Sequence, residues 1–315
     1  MHIYVNAACD SASSDTIRSA AGQDTVFFAT DKTGTDEALV ALSRSSVVYG
    51  SLTPGELAFA HDLEWLQLDS VGIDDLDPDA PWPGRSGFQV TNLGHLGCDA
   101  VADTTLAGVL ALARGIQELT LLKERRQWRS GAFRSGLRLL ASAQVLLVGY
   151  GAIGHAIEAR LKGFGCTDIV HVRRSASTGA SLADLASLLP ASDLVISCLP
   201  STPQTRGLFD ERCLSAFRPG SYFVNVGRGD VLDEQALGRA LTSGRLAGAL
   251  LDVTREEPLP PSSPLWESPR VLLTQHTAGG SADEQVLKAE LFAENLRRRR
   301  DDRPLLHQVD LLRGY

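Results

Sequence analysis

The sequence predicts an α/β protein with two doubly wound domains, each built on a parallel sheet. Three observations support this fold class. The chain has 315 residues, which is enough for about two domains of ordinary size. Short apolar runs alternate with helix-compatible stretches along most of its length, as in parallel sheets that are covered by helices on both faces. A glycine-rich turn at residues 149–154 joins one of these runs to a helix.

Composition and charge exclude several classes of protein. Hydrophobic residues make up 43% of the chain and charged residues 22%, as in water-soluble globular proteins. The net charge of -8 argues against general binding to nucleic acid or to an anionic membrane surface. The five cysteines are scattered and form no C-x-x-C pair, so we predict neither disulfides nor a metal site. With no signal peptide and no transmembrane run visible, we expect a cytoplasmic protein.

The first 92 residues contain five candidate strands separated by polar turns. These strands lie at residues 3–5, 26–28, 47–49, 66–68 and 88–90, and helical patterns fit residues 35–42 and 54–62. Residues 74–87 are rich in Pro, Gly and Asp and are predicted to form a loop.

A single long helix is predicted from residue 99 to residue 126. Val101, Thr105, Val109, Leu112 and Ile116 recur there near helical spacing. Further apolar runs follow at residues 145–148, 169–172, 194–197, 222–225, 247–251 and 271–273, a rhythm typical of a doubly wound sheet. The sequence pattern at residues 281–300 predicts one amphipathic helix. We interpret its last four arginines, 297–300, as a solvated helix end that the helix dipole favours.

The glycine-rich turn matches the pattern G-x-G-x-x-G immediately after a predicted strand. Its first glycine permits a tight turn, its second lets a pyrophosphate approach the backbone, and its third lets the following helix pack closely. The N-terminus of that helix faces the phosphates. We therefore predict a Rossmann dinucleotide site in which the cofactor contacts Gly149, Gly151, Ala152, Ile153 and Gly154.

The end of the next predicted strand bears on which nicotinamide cofactor is bound. An acidic residue there would bind the adenosine ribose hydroxyls, but the sequence has Arg173, Arg174 and Ser175 instead. An arginine at this point accommodates a 2′-phosphate. We therefore expect NADP(H) in preference to NAD(H). The alternative is that these arginines are simply solvated after the strand.

Polar residues also follow three later strands, at the sheet edge where open α/β sheets bind ligands. They include an arginine in segment 225–230, a glutamate in segment 251–258 and a histidine in segment 274–280. Their order after the dinucleotide turn resembles the D-isomer-specific 2-hydroxyacid dehydrogenase family. The motifs that carry the resemblance are SVGIDDLD at 70–77, VTN at 90–92, VAD at 101–103, VGYGAIG at 148–154, CLPSTPQT at 198–205, NVGRGDVLDEQAL at 225–237, LDV at 251–253, EEP at 256–258, QHTAGG at 275–280 and PLLHQVD at 304–310.

The resemblance implies a domain organisation and a set of site residues. A Rossmann cofactor domain would take residues 93–281, and a flavodoxin-like substrate domain would take residues 1–92 and 282–315, with a cleft between them. His276 would be the general acid and base, Glu257 its carboxylate partner, and Arg228 the cation that binds the substrate carboxylate. The backbone amides of Val71 and Gly72 would receive the same carboxylate. The further cofactor contacts that the resemblance implies are Leu199, Pro200, Thr205, Val226, Gly227, Asp252, His276 and Gly279.

The predicted chemistry is the reduction of a 2-oxo acid. This reaction requires a hydride donor, a proton donor and a cation for the carboxylate, which nicotinamide, imidazolium and guanidinium supply. We expect an NADPH-dependent reductase of the glyoxylate or hydroxypyruvate type, forming a homodimer through the helix after residue 99. The alternatives are an NAD-dependent dehydrogenase of another 2-hydroxy acid and a corepressor-like, nucleotide-sensing binding protein. Two positions depart from the family pattern, because Gln275 replaces a usual Pro and Asp103 a usual Glu.

Overall fold

The computed structural model describes residues 1–29, 35–73, 76, 87–129, 131, 134–173 and 179–310. The chain forms two compact units, one of Met1–Leu96 with Ser281–Tyr315 and the other of Gly97–Gly280. The first unit is discontinuous, because its last helix comes from the end of the chain. The sequence predicted the boundaries after residues 92 and 281, whereas the structure has them after residues 96 and 280.

The helices and strands alternate along both units. In chain order the helices are α1 (Ser11–Ala21), α2 (Asp36–Ser43), α3 (Pro54–Leu57), α4 (Cys98–Ala113), α5 (Ile116–Glu124), α6 (Ala152–Gly163), α7 (Leu185–Leu188), α8 (Glu211–Ser215), α9 (Glu234–Thr242) and α10 (Glu284–Arg300). The strands are β1 (His2–Val5), β2 (Thr25–Phe28), β3 (Val47–Tyr49), β4 (Trp65–Gln67), β5 (Gln89–Thr91), β6 (Val145–Val148), β7 (Ile169–Arg173), β8 (Ala180–Ser181), β9 (Leu194–Ser197), β10 (Ser221–Asn225), β11 (Leu246–Leu251) and β12 (Val271–Leu273). Short 3₁₀ turns lie at Leu140–Ser142, Leu182–Asp184, Leu189–Ala191, Gly229–Val231 and Pro264–Glu267.

The first unit is built on a five-stranded parallel sheet of order β2-β1-β3-β4-β5. This is the flavodoxin order, in which β2 lies on one side of β1 and the later strands follow one another on its other side. Strands β3 and β4 are buried throughout, as the apolar runs at these positions predicted. The strands predicted at 66–68 and 88–90 are each shifted by one residue.

The predicted helix at residues 54–62 is wrong beyond Leu57. A capping box between Thr53 and Glu56 fixes the start of α3. After Leu57 the backbone forms successive tight turns, with Phe59 N donating to Glu56 O and Ala60 N to Leu57 O. These turns bury Leu57 and Ala60 in the core of the unit, so packing is satisfied without another helical turn.

Helix α10 completes the core of the first unit. Its Phe292 is fully buried and stacks on Tyr49, with ring centroids 4.5 Å apart, and on Trp65 at 5.3 Å. The interpretation of its terminal arginines as merely solvated is incomplete, because two of them also form ion pairs with other segments of the unit. Arg299 pairs with Glu64, and Arg300 reaches Asp24 at 2.6 Å. These ion pairs tie the end of α10 to the turns that precede β4 and β2.

The second unit is built on a seven-stranded parallel sheet of order β12-β11-β10-β9-β6-β7-β8. The strand order reverses at β6, which has β9 on one side and β7 on the other. This is the Rossmann arrangement, and ligands bind outside the carboxyl ends of the strands at such a reversal. The two sheets confirm the predicted fold class.

The long helix predicted at residues 99–126 is wrong, because the chain forms two helices that are bent by 67°. Gly115 separates α4 from α5 and has a φ of +63°, a conformation that favours glycine. Helix α4 packs tightly on the sheet, since a Cβ at Gly108 would lie 2.4 Å from Leu250. Within the described residues, no single helix is long and apolar enough to cross a membrane, and only α4 and α5 taken together satisfy both criteria.

Candidate active site

The glycine-rich turn follows β6 and leads into α6. Gly149 has a φ of +97°, and a Cβ there would lie 2.8 Å from the carbonyl oxygen of Cys198. A Cβ at Gly154 would lie 2.7 Å from the carbonyl oxygen of Gly149. The protein itself therefore requires glycine at the first and third positions of the motif.

Gly151, the second glycine, is different. Its φ is -94°, which any residue adopts, and apart from its chain neighbours no described atom lies within 4 Å of where its Cβ would be. The α6 N-terminus that it caps has no side-chain cap, so no side chain of the described residues accepts from the first amides of the helix. Such a bare helix N-terminus beside an uncrowded glycine fits a pyrophosphate.

Arg173 lies at the end of β7, beside the glycine-rich turn. Its guanidinium carbon is 4.6 Å from the centroid of the Tyr150 ring, a cation–π distance. Among the described residues Arg173 has no carboxylate partner. The two other residues predicted to select the cofactor, Arg174 and Ser175, lie outside the described residues.

Tyr150 belongs to a polar cluster that the sequence analysis did not find. Its ring stacks on His171 at 3.8 Å, and its hydroxyl bonds to Glu158. Glu158 is nearly buried and also lies 2.8 Å from Lys162 and 3.2 Å from His171. The alternation of β7 could have indicated part of this cluster, because residues 171 and 173 face the same side of a strand. We call Tyr150, Glu158, His171 and Arg173 the Tyr150 cluster.

Three predicted site residues follow adjacent strands of the second sheet. Arg228 follows β10, Glu257 follows β11 and His276 follows β12. Parallel strands that are neighbours in a sheet end at the same edge, so these segments meet. A Cβ at Gly229 would lie 1.9 Å from the carbonyl oxygen of Thr254, which shows how closely the segment after β10 approaches the segment after β11.

The side chains of His276 and Glu257 are paired. His276 Nδ1 lies 2.6 Å from Glu257 Oε2, and Thr254 N donates to Glu257 Oε1 at 2.8 Å. Both carboxylate oxygens are therefore occupied, which fixes the carboxylate and the imidazole ring that it holds. His276 is about half exposed, at 54%. Because Nδ1 faces Glu257, Nε2 is the ring nitrogen that remains for a substrate.

Asp252 holds the loop that carries His276. Its side chain is 5% exposed, and its Oδ1 accepts from Thr274 Oγ1 at 2.6 Å, Thr277 N at 3.0 Å and Ala278 N at 3.1 Å. Its carbonyl oxygen accepts from His276 N at 2.6 Å. Asp252 therefore binds residues that precede His276 in the sequence and residues that follow it.

Gln275 and His276 have φ values of +52° and +56°. Two successive left-handed residues are unusual outside glycine. Proline, which the family usually has before the histidine, is locked near a φ of about -65° and could not adopt this conformation. Gln275 is therefore compatible with the backbone conformation that presents His276 in this chain, whereas proline is not.

A pocket of about 460 Å³ opens beside this pair within the second unit. Its polar wall contains Asp252, Thr254, Glu257, Gln275 and His276, and its apolar wall contains Leu251, Pro258, Leu259, Trp266 and Leu273. Sequence reasoning missed Trp266, since a single aromatic residue in a Pro-rich segment has no periodicity to mark it. In the described residues, no group of three or more His, Cys, Asp or Glu side chains could hold a metal ion.

The other predicted cofactor contacts lie on loops near the same sheet edge. Leu199 and Val226 are buried, and a Cβ at Gly227 would lie 2.4 Å from the carbonyl oxygen of Leu199. Thr205 is 4% exposed, and its hydroxyl donates to the carbonyl oxygen of Pro200 at 2.6 Å. That bond closes the 200–205 turn, so the Thr205 hydroxyl is already engaged.

Four further predicted residues are placed as follows. Gly279 lies beside α4, where a Cβ would be 3.7 Å from Val101. Arg228 Nη1 donates to the carbonyl oxygen of Gly227 at 2.8 Å. In the first unit, Val71 and Gly72 lie in the loop after β4, and Val71 is 40% exposed.

Comparison with known proteins identifies one family. A family model described as D-isomer specific 2-hydroxyacid dehydrogenase, NAD binding domain, matches residues 106–278. A glyoxylate reductase of Thermofilum pendens is 35% identical over 246 residues, which cover 75% of this chain and 72% of that protein. A D-3-phosphoglycerate dehydrogenase of Mycobacterium leprae is 34% identical over 246 residues, which cover 76% of this chain but 46% of that protein.

The structural comparison extends over the whole chain. A D-isomer specific 2-hydroxyacid dehydrogenase from Xanthobacter autotrophicus Py2, crystallised in complex with NADPH and MES, has a TM-score of 0.83 and 29% sequence identity, covering 99% of each chain. The family match spans more than half of this chain, and it includes the glycine-rich turn and the paired histidine. The chain therefore belongs to the D-isomer-specific 2-hydroxyacid dehydrogenase family and is an NAD(P)-dependent oxidoreductase.

Proposed function

We propose that this enzyme uses NADPH to reduce a small 2-oxo acid, of the glyoxylate or hydroxypyruvate type, to the D-2-hydroxy acid. The observation that carries this proposal is the pairing of His276 with Glu257 at 2.6 Å, beside the segment of Arg228. The similarity to a glyoxylate reductase at 35% identity supports the substrate class.

The roles of the side chains follow from their chemistry. His276 donates a proton from Nε2 to the substrate oxygen, while Glu257 stabilises the imidazolium and holds its orientation. Arg228 binds the substrate carboxylate and polarises the adjacent carbonyl. The amides of Val71 and Gly72 receive the same carboxylate. The bound nicotinamide supplies the hydride.

The preference for NADPH rests on Arg173. Its guanidinium is positioned by Tyr150 and has no carboxylate partner among the described residues, so it is available to a 2′-phosphate. The Xanthobacter relative, at 29% identity, was crystallised with NADPH. Arg174 and Ser175 belong to the same proposed set, and the phosphate loop with the segments at 199–205, 226–227, 252 and 279 completes the proposed cofactor site.

Steady-state kinetics test this function. Rates with glyoxylate and with hydroxypyruvate are measured against NADPH and NADH in parallel. We expect kcat/KM for NADPH to exceed that for NADH by about tenfold or more, the worth of one charged hydrogen bond. Equal or better use of NADH would overturn the cofactor assignment. Turnover confined to bulkier 2-oxo acids would overturn the substrate assignment.

The second candidate is an NAD-dependent dehydrogenase of another 2-hydroxy acid. The 34% identity to a D-3-phosphoglycerate dehydrogenase favours it, although this chain spans about half of that protein's length. Oxidation of D-3-phosphoglycerate with NAD, measured in the same assay, distinguishes it from the first candidate.

We also propose that the enzyme is a homodimer, and its cytoplasmic location stays a prediction. Apolar side chains are exposed along and after α5, namely Ile116 at 51%, Leu119 at 39%, Trp128 at 91% and Leu139 at 67%. These four residues fall within one stretch of 24 residues, 116–139, and contiguous exposed apolar surface marks interaction sites. Light scattering coupled to gel filtration tests the dimer, and a monomer at all concentrations would refute it.

A further inference from the structure

The loop after β4 presents unpaired amides. In the part of the chain that the structure describes, the N–H groups of Val71, Gly72 and Ile73 have no hydrogen-bond acceptor. The carbonyl oxygens of Val71 and Gly72, by contrast, both accept from side chains. Because its carbonyl oxygens are bonded and its N–H groups are free, this loop offers hydrogen-bond donors and partial positive charge to a ligand.

Asn92 binds the first of these carbonyls. Its Nδ2 donates to Val71 O at 2.8 Å, and its Oδ1 accepts from Gly94 N at 2.8 Å. Both ends of the amide are therefore occupied, so the side chain has one orientation. Asn92 is the last residue of the VTN motif, for which the sequence analysis assigned no role.

Ser70 binds the second carbonyl. Its Oγ donates to Gly72 O at 2.7 Å, and its own carbonyl oxygen accepts from Leu93 N at 3.1 Å. The two side chains thus come from different segments of the first unit and bind successive peptide groups of one loop.

The planarity of the peptide determines what these bonds do to the amides. In a trans peptide the C=O of one residue and the N–H of the next point in opposite directions. Because Asn92 holds the carbonyl of Val71, the N–H of Gly72 points away from Asn92. Because Ser70 holds the carbonyl of Gly72, the N–H of Ile73 points away from Ser70. Free N–H groups of successive residues in a turn are the groups that bind anions in backbone concavities.

A buried network keeps Asn92 in place. The carbonyl oxygen of Asn92 accepts from Gln67 Nε2 at 3.1 Å. Gln67 Oε1 in turn accepts from Thr91 Oγ1 at 2.8 Å and from Asn295 Nδ2 at 2.9 Å, and Gln67, Thr91 and Asn295 are all fully buried. The main chain at Asn92 is therefore held by groups in the core of the unit, and buried networks whose hydrogen bonds are all made are rigid.

We propose that Asn92 and Ser70 are positioning residues that orient the Gly72 and Ile73 amides toward the carboxylate of the 2-oxo acid. This inference rests on the proposed function, since it takes the substrate to be an anion that the loop receives. It adds Ile73 to the residues that bind the carboxylate. Neither Asn92 nor Ser70 contacts the reacting atoms in this assignment.

The test compares Asn92→Ala, Ser70→Ala and Ser70→Thr with the native enzyme. The measurements are kcat and KM for glyoxylate, inhibition by oxamate, NADPH affinity and Tm. Loss of one oriented hydrogen bond is expected to raise KM and the oxamate inhibition constant together by about fivefold to tenfold, with kcat within about twofold and NADPH affinity unchanged. Ser70→Thr keeps the hydroxyl and is expected to restore native values.

Ser43→Ala is the matched control, because the Ser43 hydroxyl also donates to a main-chain carbonyl, that of Val40 at 2.9 Å. It is expected to leave all four measurements unchanged. Native KM and oxamate inhibition in both alanine variants would overturn the inference while the proposed function stands. A native enzyme that reduces no 2-oxo acid would overturn the proposed function and the inference with it. Ser70 is exposed, so its variants test the inference even where Asn92→Ala fails to fold.

Discussion

The carboxylate of Glu257 has one oxygen on His276 and the other on the amide of Thr254. This bidentate use removes the rotation that a single hydrogen bond would leave to the carboxylate. In the proposed mechanism, the imidazole keeps this orientation while it donates its proton, and the carboxylate 2.6 Å from the ring nitrogen stabilises the charged ring.

Replacing Glu257 by Gln is expected to lower kcat by about tenfold to a hundredfold, because the neutral amide no longer stabilises the imidazolium.

His276→Ala is expected to lower kcat by about three orders of magnitude. Both variants are assayed with glyoxylate, and cofactor binding is measured separately. The neighbouring exposed Glu256→Gln serves as the control. Native turnover in His276→Ala would remove His276 from its role.

His307 provides a pH-dependent contribution to stability at the residue scale. Burial, together with the nearby His95, lowers the pKa of His307 below its ordinary value of 6.5. Below that pH the unfolded chain takes up a proton that the folded protein resists. The contribution of His307 is therefore complete above pH 6.5 and is lost as the pH falls through that value.

We expect His307→Asn to show a smaller loss in the free energy of unfolding between pH 7 and pH 5 than the native protein. Asparagine tolerates the positive φ of this position, which is +56°. Urea unfolding at several pH values measures the effect. The exposed His61→Asn is the control, and an equal loss in His307→Asn and the native protein would contradict the assignment.

At the scale of elements, β6, the glycine-rich turn and α6 carry the phosphate-binding part of the proposed cofactor site. The sequence analysis predicted the three glycines of this turn to be one phosphate-binding motif. The structure separates their functions, since Gly149 and Gly154 are required by contacts within the protein and Gly151 is not. It also joins this element to β7 through the Tyr150 cluster, in which the Tyr150 ring of the turn contacts His171 and Arg173 of β7.

The Tyr150 ring is expected to hold Arg173 for the 2′-phosphate. Tyr150→Ala removes the ring and is expected to raise KM for NADPH about fivefold to tenfold, with little effect on NADH, because a cation–π contact of this kind is worth about 1 kcal/mol. Tyr150→Phe keeps the ring and loses only the bond to Glu158, so it is expected to retain native selectivity. An unchanged ratio of NADPH to NADH use in Tyr150→Ala would exclude this role.

Helix boundaries were the least predictable elements. The apolar spacing from Val101 to Ile116 continues across the break at Gly115, so periodicity alone predicted one helix. The break is a local event in which one glycine takes a left-handed conformation. The strands were predicted better, because continuous apolar runs mark strands that are buried on both faces.

For the whole molecule, the two units differ in how they are assembled from the chain. The second is one continuous segment, Gly97–Gly280, with its own seven-stranded sheet and buried core. The first needs residues from both ends of the chain, since Ala289, Phe292, Ala293 and Leu296 of α10 belong to the same core as β1 and β3.

A fragment of residues 97–280 is therefore expected to fold cooperatively and to bind NADPH, whereas residues 1–96 alone are expected to remain unfolded. The loss of Phe292 from the core of the first unit would by itself cost about 3 to 5 kcal/mol, a large share of a domain's stability. Circular dichroism and thermal unfolding measure both fragments. Residues 1–96 joined by a linker to 281–315 form the control. Cooperative folding of residues 1–96 alone would contradict the expectation.

The sequence by itself determined the fold class and the order of the strands along the chain, and it predicted Asp252, Glu257 and His276 of the candidate site. Buried parallel strands, a phosphate-binding turn and strand-end polar residues are local patterns, and local patterns can be read from consecutive residues. Only the tertiary structure decided the partners that no motif had indicated. It added the amide of Thr254 to the predicted pair of Glu257 and His276, and it paired Arg300 with Asp24. Hydrogen bonds act over about 3 Å and depend on direction, so residues far apart in the chain become partners only once the fold has placed them.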